Sequence, residues 1–213
     1  LWLDFLALLS TPTLNLDAFL ALCSQAVSVL PLSGRLWAVY LRAITRCQRP
    51  KSHMLALYEK AAHSRGVALL GGASLLSLLQ ARIDCERAYA AMELAHAQKK
   101  SPDQVLVVTE MDHFMHVYEL FLHSISAMQR LPASEQDASV ALERCAVDWI
   151  ERASRALAQT AGLEASAGLY PLADDVWTHA LEQHPMHATA YLEAAQYFQR
   201  RDDDKRARQT YKA

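Results

Sequence analysis

The sequence has few of the residues that break helices: 6 glycines and 7 prolines in 213 positions. It also has no run of alternating β-branched and polar residues long enough to argue for a sheet. With 52% hydrophobic residues and abundant Ala and Leu, whose side chains lose little freedom on a helix, the chain is predicted to be all-α. Charge of one sign is also missing. The 21 basic and 23 acidic residues leave a net −2, whereas a grip on nucleic acid through phosphates favours a basic excess or stripe. The four cysteines, Cys23, Cys47, Cys85 and Cys145, are scattered without a Cys-x-x-Cys pair. They read as small buried residues of a reducing compartment, not as a disulfide framework or zinc site. No apolar run reaches the roughly 18 residues of a membrane span, so no membrane partner is expected. The chain opens on Leu1 without Met and stops inside a recurring phrase, so it is read as part of a longer protein.

That phrase organises the chain. It reads Ala173-Asp-Asp-Val-Trp177-Thr-His-Ala180-Leu181 with Pro185, then an apolar helix through Tyr191 and Phe198. It restarts as Ala207-Arg208-Gln-Thr-Tyr211, so Ala173 to Ala207 and Trp177 to Tyr211 each span 34 residues. In the N-terminal half, Ala26-Val27 is followed by Pro31 with the spacing of Ala180-Leu181 and Pro185. Ala61 follows Ala26 by 35 residues. Trp37 to Tyr58 spans 21 residues and Tyr191 to Tyr211 spans 20, as two helices of one pair would. A period near 34 built from helix pairs marks a helical solenoid, in which each pair buries its apolar face against its neighbours.

The expected elements follow from caps and breakers. An apolar segment over residues 1 to 9 ends at Ser10-Thr-Pro12. A helix starts at Asn15 or Asp17 and ends before Pro31. Ser33-Gly34 opens the next, with Trp37, Tyr40, Leu41 and Ile44 at helical spacing. After a loop around Pro50 comes a helix carrying Tyr58 and Ala61, with Gly66 as its C-cap. Residues 73 to about 99 read as one long helix or two poorly joined ones. Ser101-Pro102-Asp103 starts a helix to Gln129, and Ser134 or Asp137 starts another bearing Leu142, Trp149 and Leu157. Gly162 and Gly168 bracket an Ala-rich piece. The clean pairs cover 15–66 and 170–213, and the middle, 70–165, keeps the rhythm without the signature. The whole is expected to be one solenoid, 1–213, of about five to six helix pairs. Large aromatics on first helices (Trp37, Tyr40, Tyr191) are expected to wedge against small residues on second helices (Ala61, Ala180), with Trp177 and Tyr211 in the core.

These residues resemble the half-a-TPR (HAT) repeat family, with aromatics on the first helix and Ala-Arg-x-aliphatic-aromatic-Glu-Arg-Ala-Leu, then Pro, on the second. The signature positions are Trp37, Tyr40, Tyr58, Ala61, Trp177, Ala180, Pro185, Tyr191, Ala207 and Tyr211. Asp174 stands where Arg is usual in the family, and Cys23 where an aromatic is usual. The Leu-Gly pattern of ordinary TPR helices is missing. The order of the long helices is similar to the central part of the U4/U6 snRNP recycling factors. The resemblance implies a TPR-like α-α superhelix and a nuclear scaffold for protein partners in splicing or snRNP assembly or recycling. It also implies possible self-association into a homodimer. Messenger RNA 3′-end processing and ribosomal RNA maturation are alternatives within the family.

Sharper chemistry finds little support. His113, His116 and His123 share a helix with Glu110, Asp112 and Glu119, but no His-Glu-x-x-His or completing ligand accompanies them, so no metal is expected. His184-Pro-Met-His187 reads as a structural turn. No Gly-flanked nucleophile and no phosphate loop occurs, so no catalytic residue and no cofactor is expected. The cations from Arg200 to Arg208 are interrupted by Asp202, Asp203 and Asp204, so direct RNA contact is not the expected role. A TPR-type adaptor for peptide tails remains the alternative outside the family.

Overall fold

The computed structural model describes residues 15–63, 71–100, 106–160 and 168–212, together with Trp2, Leu3 and Leu6. Among these the chain forms nine α-helices and no strand. They are α1 (Leu16–Val29), α2 (Gly34–Arg46), α3 (Lys51–His63), α4 (Gly72–Lys100), α5 (Leu106–Met128), α6 (Gln136–Thr160), α7 (Tyr170–Gln183), α8 (Ala188–Arg200) and α9 (Asp204–Lys212). The Gly66 cap, the Ser101-Pro102-Asp103 start and Gly162 lie outside the described residues. The ambiguous stretch after Gly71 is one continuous helix, α4.

Local chemistry sets the boundaries. Asn15 caps α1, its side chain accepting from Asp17 N–H, and Ser33 caps α2 by accepting from Leu36 N–H. α7 carries a proline in its first turn, where the missing N–H costs nothing. His187 caps α8 with an imidazole nitrogen where Ser33 uses a hydroxyl, accepting from Ala190 N–H.

Two triplets of helices repeat each other closely. From Leu16 to Tyr170 and from Gly34 to Ala188 the offset is 154 residues, and α1 and α2 end 154 residues before α7 and α8. Pro31 and Pro185, the caps Ser33 and His187, and the amides they hold, Leu36 and Ala190, all keep that offset. So do Gln48 and Asp202, the two non-glycine residues with positive φ (51° and 58°).

The chain divides into two compact units, Leu1–Leu120 and Phe121–Ala213. In the first, α2 packs against α1, α3 and α4. Its core is built on Trp37, Leu41, Ile44, Met54, Leu78 and Ile83. In the second, α6 packs on α7 and α8, and α9 packs on α8, around Leu142, Ile150, Trp177, Ala180 and Tyr197. Phe121 and Trp149 meet at 5.4 Å between ring centres. Burying such side chains contributes about 1.5–3 kcal/mol each, which explains why amphipathic pairs must stack.

Candidate functional site

The signature residues divide by burial. Trp37, Ala61, Trp177, Ala180 and Ala207 are buried. Trp37 Nε1–H donates to the Pro31 carbonyl at 2.7 Å, tying α2 to the turn before it. Tyr40, Tyr58 and Tyr191 are half-buried, and Pro185 is an exposed turn residue. The Arg82 guanidinium lies 4.9 Å from the centre of the Tyr58 ring, and burial pushes the Tyr58 hydroxyl pKa up, partly offset by Arg82. Tyr211 is 52% exposed. On the same helix, α9, Ala207 and Thr210 are buried. The buried members of this set pack within the cores of their own units. They do not converge on one site.

Three polar clusters lie between the helices instead. In the first unit, Glu86 of α4 is 2% exposed. Its carboxylate lies 2.8 Å from Lys51 of α3, 2.8 Å from Arg82 and 3.6 Å from His116 of α5. The two cations Lys51 and Arg82 beside this buried carboxylate offset its desolvation, which would otherwise cost several kcal/mol. His113, one turn from His116, lies 3.7 Å from Glu93 of α4. The histidines of α5 thus face separate carboxylates. Among the described residues no group of three or more His, Cys, Asp and Glu is placed to hold a metal ion.

The second cluster is Asp174 of α7, the position that departs from the expected Arg. Its carboxylate accepts from the Tyr197 hydroxyl at 2.7 Å, from Arg201 at 3.4 Å and from Arg206 of α9 at 2.8 Å. Arg201 also stacks on Tyr170, 3.9 Å from the ring centre. Burial, reinforced by Asp174, pushes the Tyr197 pKa far up, against the opposing pull of Arg201. Burial works against the Arg201 charge, but Tyr197 and Asp174 outweigh it and raise its pKa. One acidic residue therefore ties three helices together, which an Arg at 174 facing Arg201 and Arg206 could not do.

The third cluster joins α6 to the turn between α7 and α8. Glu143 is fully buried and His184 is 3% exposed, with Glu143 Oε1 3.3 Å from His184 Nε2. Burial raises the Glu143 pKa to about 7, only partly countered by the Ser139 hydroxyl. Burial, then His187 and His179, lowers that of His184. Both shifts favour the uncharged forms. Glu143 Oε2 and both ring nitrogens of His184 have no hydrogen-bond partner, so this polar pair is incompletely satisfied. Next to it, His187 Nδ1 accepts from Ala190 N–H, which puts the ring proton on Nε2, donating to Asp137 at 2.9 Å. The turn His184-Pro-Met-His187 places His184 against Glu143 and His187 against Asp137. Its buried carboxylate partner lies 41 residues earlier, a pairing that no local signal in the sequence announces.

Two grooves open on the second unit. One, of about 580 Å³, lies between α6, α7 and α8 and mixes charges: Arg144 pairs with Glu193 at 2.8 Å and Arg200 approaches Glu151 at 3.8 Å. The other, of about 430 Å³, is lined by Leu181, Tyr191, Phe198 and Thr210 of α7, α8 and α9. The arginines of the Arg200–Arg208 stretch are engaged within the fold. Arg201 and Arg206 hold Asp174, Arg206 also holds Asp203, and Arg208 lies 3.7 Å from Asp204.

No protein-family model matches the chain, and no curated protein matches it. Among the described residues no helix is long and apolar enough to cross a membrane.

Proposed function

We propose that the chain is a non-enzymatic scaffold of the HAT type that holds protein partners in a nuclear RNA-processing complex. Splicing and snRNP assembly or recycling is the favoured setting. On this reading the helix pairs wind into a right-handed, TPR-like superhelix whose concave and end surfaces do the binding. The observation that carries it is the 154-residue recurrence of α1 and α2 as α7 and α8, with the same proline turn, N-cap position and left-handed residue. Recurrence of a whole unit, caps included, is the hallmark of repeat proteins that act through extended surfaces. The aromatic and small residues of the HAT-like phrase, half-buried to buried apart from Pro185 and Tyr211, support the same reading. Pairing of Arg201, Arg206 and Arg208 with aspartates leaves those cations less available to phosphates, which favours protein over RNA as the ligand.

Affinity purification of the full-length protein from nuclei, followed by mass spectrometry, tests this. Recovery of splicing or cleavage-factor subunits is expected. Recovery of chaperones alone would point to a general peptide-tail adaptor instead.

A further inference from the structure

The groove of about 580 Å³ in the second unit has all of its walls in place. α6 supplies Arg144, Glu151 and Arg155, α7 supplies Trp177, and α8 supplies Glu193 and Arg200. It is also clear of the seat that a following helix takes on its pair. In the first unit α4 meets α2 at Gly34, against the Ser74 carbonyl, and at Thr45, beside Cys85. The counterparts on α8 are Ala188 and Gln199, and neither lines the groove.

The two glutamates of the groove are partnered differently. Glu193 takes Arg144 at 2.8 Å. Glu151, with only 18% of its side chain exposed, has Arg200 no closer than 3.8 Å. Its carboxylate accepts no hydrogen bond among the described residues, and Arg155 donates at 3.2 Å to its main-chain carbonyl instead. Arg201 is engaged by Tyr170 and Asp174.

The same groove holds a donor without an acceptor. Trp177 is 1% exposed and its Nε1–H has no partner, whereas the Trp37 indole donates to the Pro31 carbonyl at 2.7 Å. A buried polar group left unpaired is costly, so a ligand that answers both vacancies is favoured. An anion would answer the indole but would meet Glu151 and Glu193. A bare cation would answer Glu151 and leave the indole unpaired. A basic residue within a peptide chain carries both groups, a cation at one end and a main-chain carbonyl at the other.

We propose that this groove takes a single arginine or lysine from an extended segment of a partner protein, its cation on Glu151 and its main-chain carbonyl on Trp177 Nε1–H. Arginine is favoured, because its planar fork gives two hydrogen bonds to one carboxylate where lysine presents a point charge. The incoming cation displaces the half-exposed Arg200 from Glu151. Arg144 and Arg155, both exposed beside the groove, repel a second basic residue, which selects isolated cations over basic runs. This rests on the scaffold reading and names the chemistry of one of its partner segments.

The test is proton–nitrogen correlation NMR of the intact chain titrated with the peptide acetyl-Ala-Arg-Ala-amide. The signal followed is the indole N–H of Trp177, assigned by its disappearance in Trp177→Phe. A saturable shift is expected, with roughly millimolar affinity. Glu151→Gln should weaken it about tenfold or more, while the rest of its spectrum matches the parent and so reports an intact fold. Peptides with Gln or Glu in place of the arginine should give no saturable shift. Absence of a saturable shift, an affinity unchanged in Glu151→Gln, or an equal shift with the Glu peptide overturns the proposal. A shift given by a short oligouridylate and not by the arginine peptide would assign the groove to RNA, and also overturns it. Nuclear partners recovered by a chain whose Trp177 signal ignores the peptide would sink the groove while leaving the scaffold reading intact.

Discussion

Gln48 and Asp202 lie 154 residues apart, each just after a helix of identical length, and both adopt the left-handed backbone with φ of 51° and 58°. A side chain there costs about 1–2 kcal/mol relative to glycine, less for Asp, which tolerates the region. The turn is held by backbone bonds that also recur: Arg49 N–H to Ile44 O at 3.2 Å and Asp203 N–H to Phe198 O at 3.0 Å. Gln48→Gly is expected to stabilise the chain by up to about 1 kcal/mol, and Gln48→Val to destabilise it by at least as much. Urea unfolding of the two variants checks this. A stabilising Val would contradict the shared turn geometry.

Asp174 carries a second prediction. Asp174→Ala removes the acceptor for Tyr197, Arg201 and Arg206 and leaves the hydroxyl of buried Tyr197 and the half-buried Arg201 guanidinium without that partner. The expected cost is about 2 kcal/mol, discounted from a fully buried network because Arg206 is half exposed. Tyr197→Phe should reproduce part of the loss, and the double variant should lose less than the sum of the singles. Strict additivity in denaturant unfolding would mean the groups act independently.

Much of the fold could be read from the sequence, for specific reasons. Asn15 and Ser33 are strong N-caps, Pro31 and Pro185 end helices, and 3.6-residue spacing marks the buried faces, so α1, α2, α7 and α8 were visible locally. Two things were not. Asp174 looked like a departure from a pattern, because its value lies in Arg206 on another helix, 32 residues on. Glu143 stands between Leu142 and Arg144, with no local signal that sets it apart from a surface glutamate. Only the packing of α6 against the turn after α7 buries it beside His184. Tyr211 occupies the phrase position of buried Trp177 and is 52% exposed.

Glu143 makes stability depend on pH in a defined direction. Its folded pKa of about 7 lies above the usual 4.5, so the folded state keeps a proton that the unfolded chain has lost between those values. Stability from this group is full below about pH 4.5 and falls as pH rises toward 7, by up to about 3 kcal/mol. His184, shifted down, acts oppositely and costs stability as pH falls below its ordinary value of 6.5. Glu143→Gln keeps the shape without the charge. It is therefore expected to be more stable than the parent at pH 8, with the gain shrinking toward pH 5. A gain independent of pH in thermal unfolding would remove the buried carboxylate from the explanation.

The small residues at the helix crossings give a further prediction. Ala61 is 2% exposed and Ala180 fully buried. Ala61→Trp or Ala180→Trp forces a large ring into filled space and should cost about 1–3 kcal/mol or more, while Pro185→Ala on the exposed turn should cost much less. An unchanged melting temperature for both tryptophan variants would contradict the packing.

The central claim is that the chain holds proteins together directly. The most direct measurement mixes the purified chain with a purified subunit recovered from its nuclear complex, with and without nuclease, and follows the complex by sedimentation. The scaffold account predicts a stoichiometric complex that survives nuclease treatment. A complex that forms only while RNA is intact and dissolves when it is digested would contradict it.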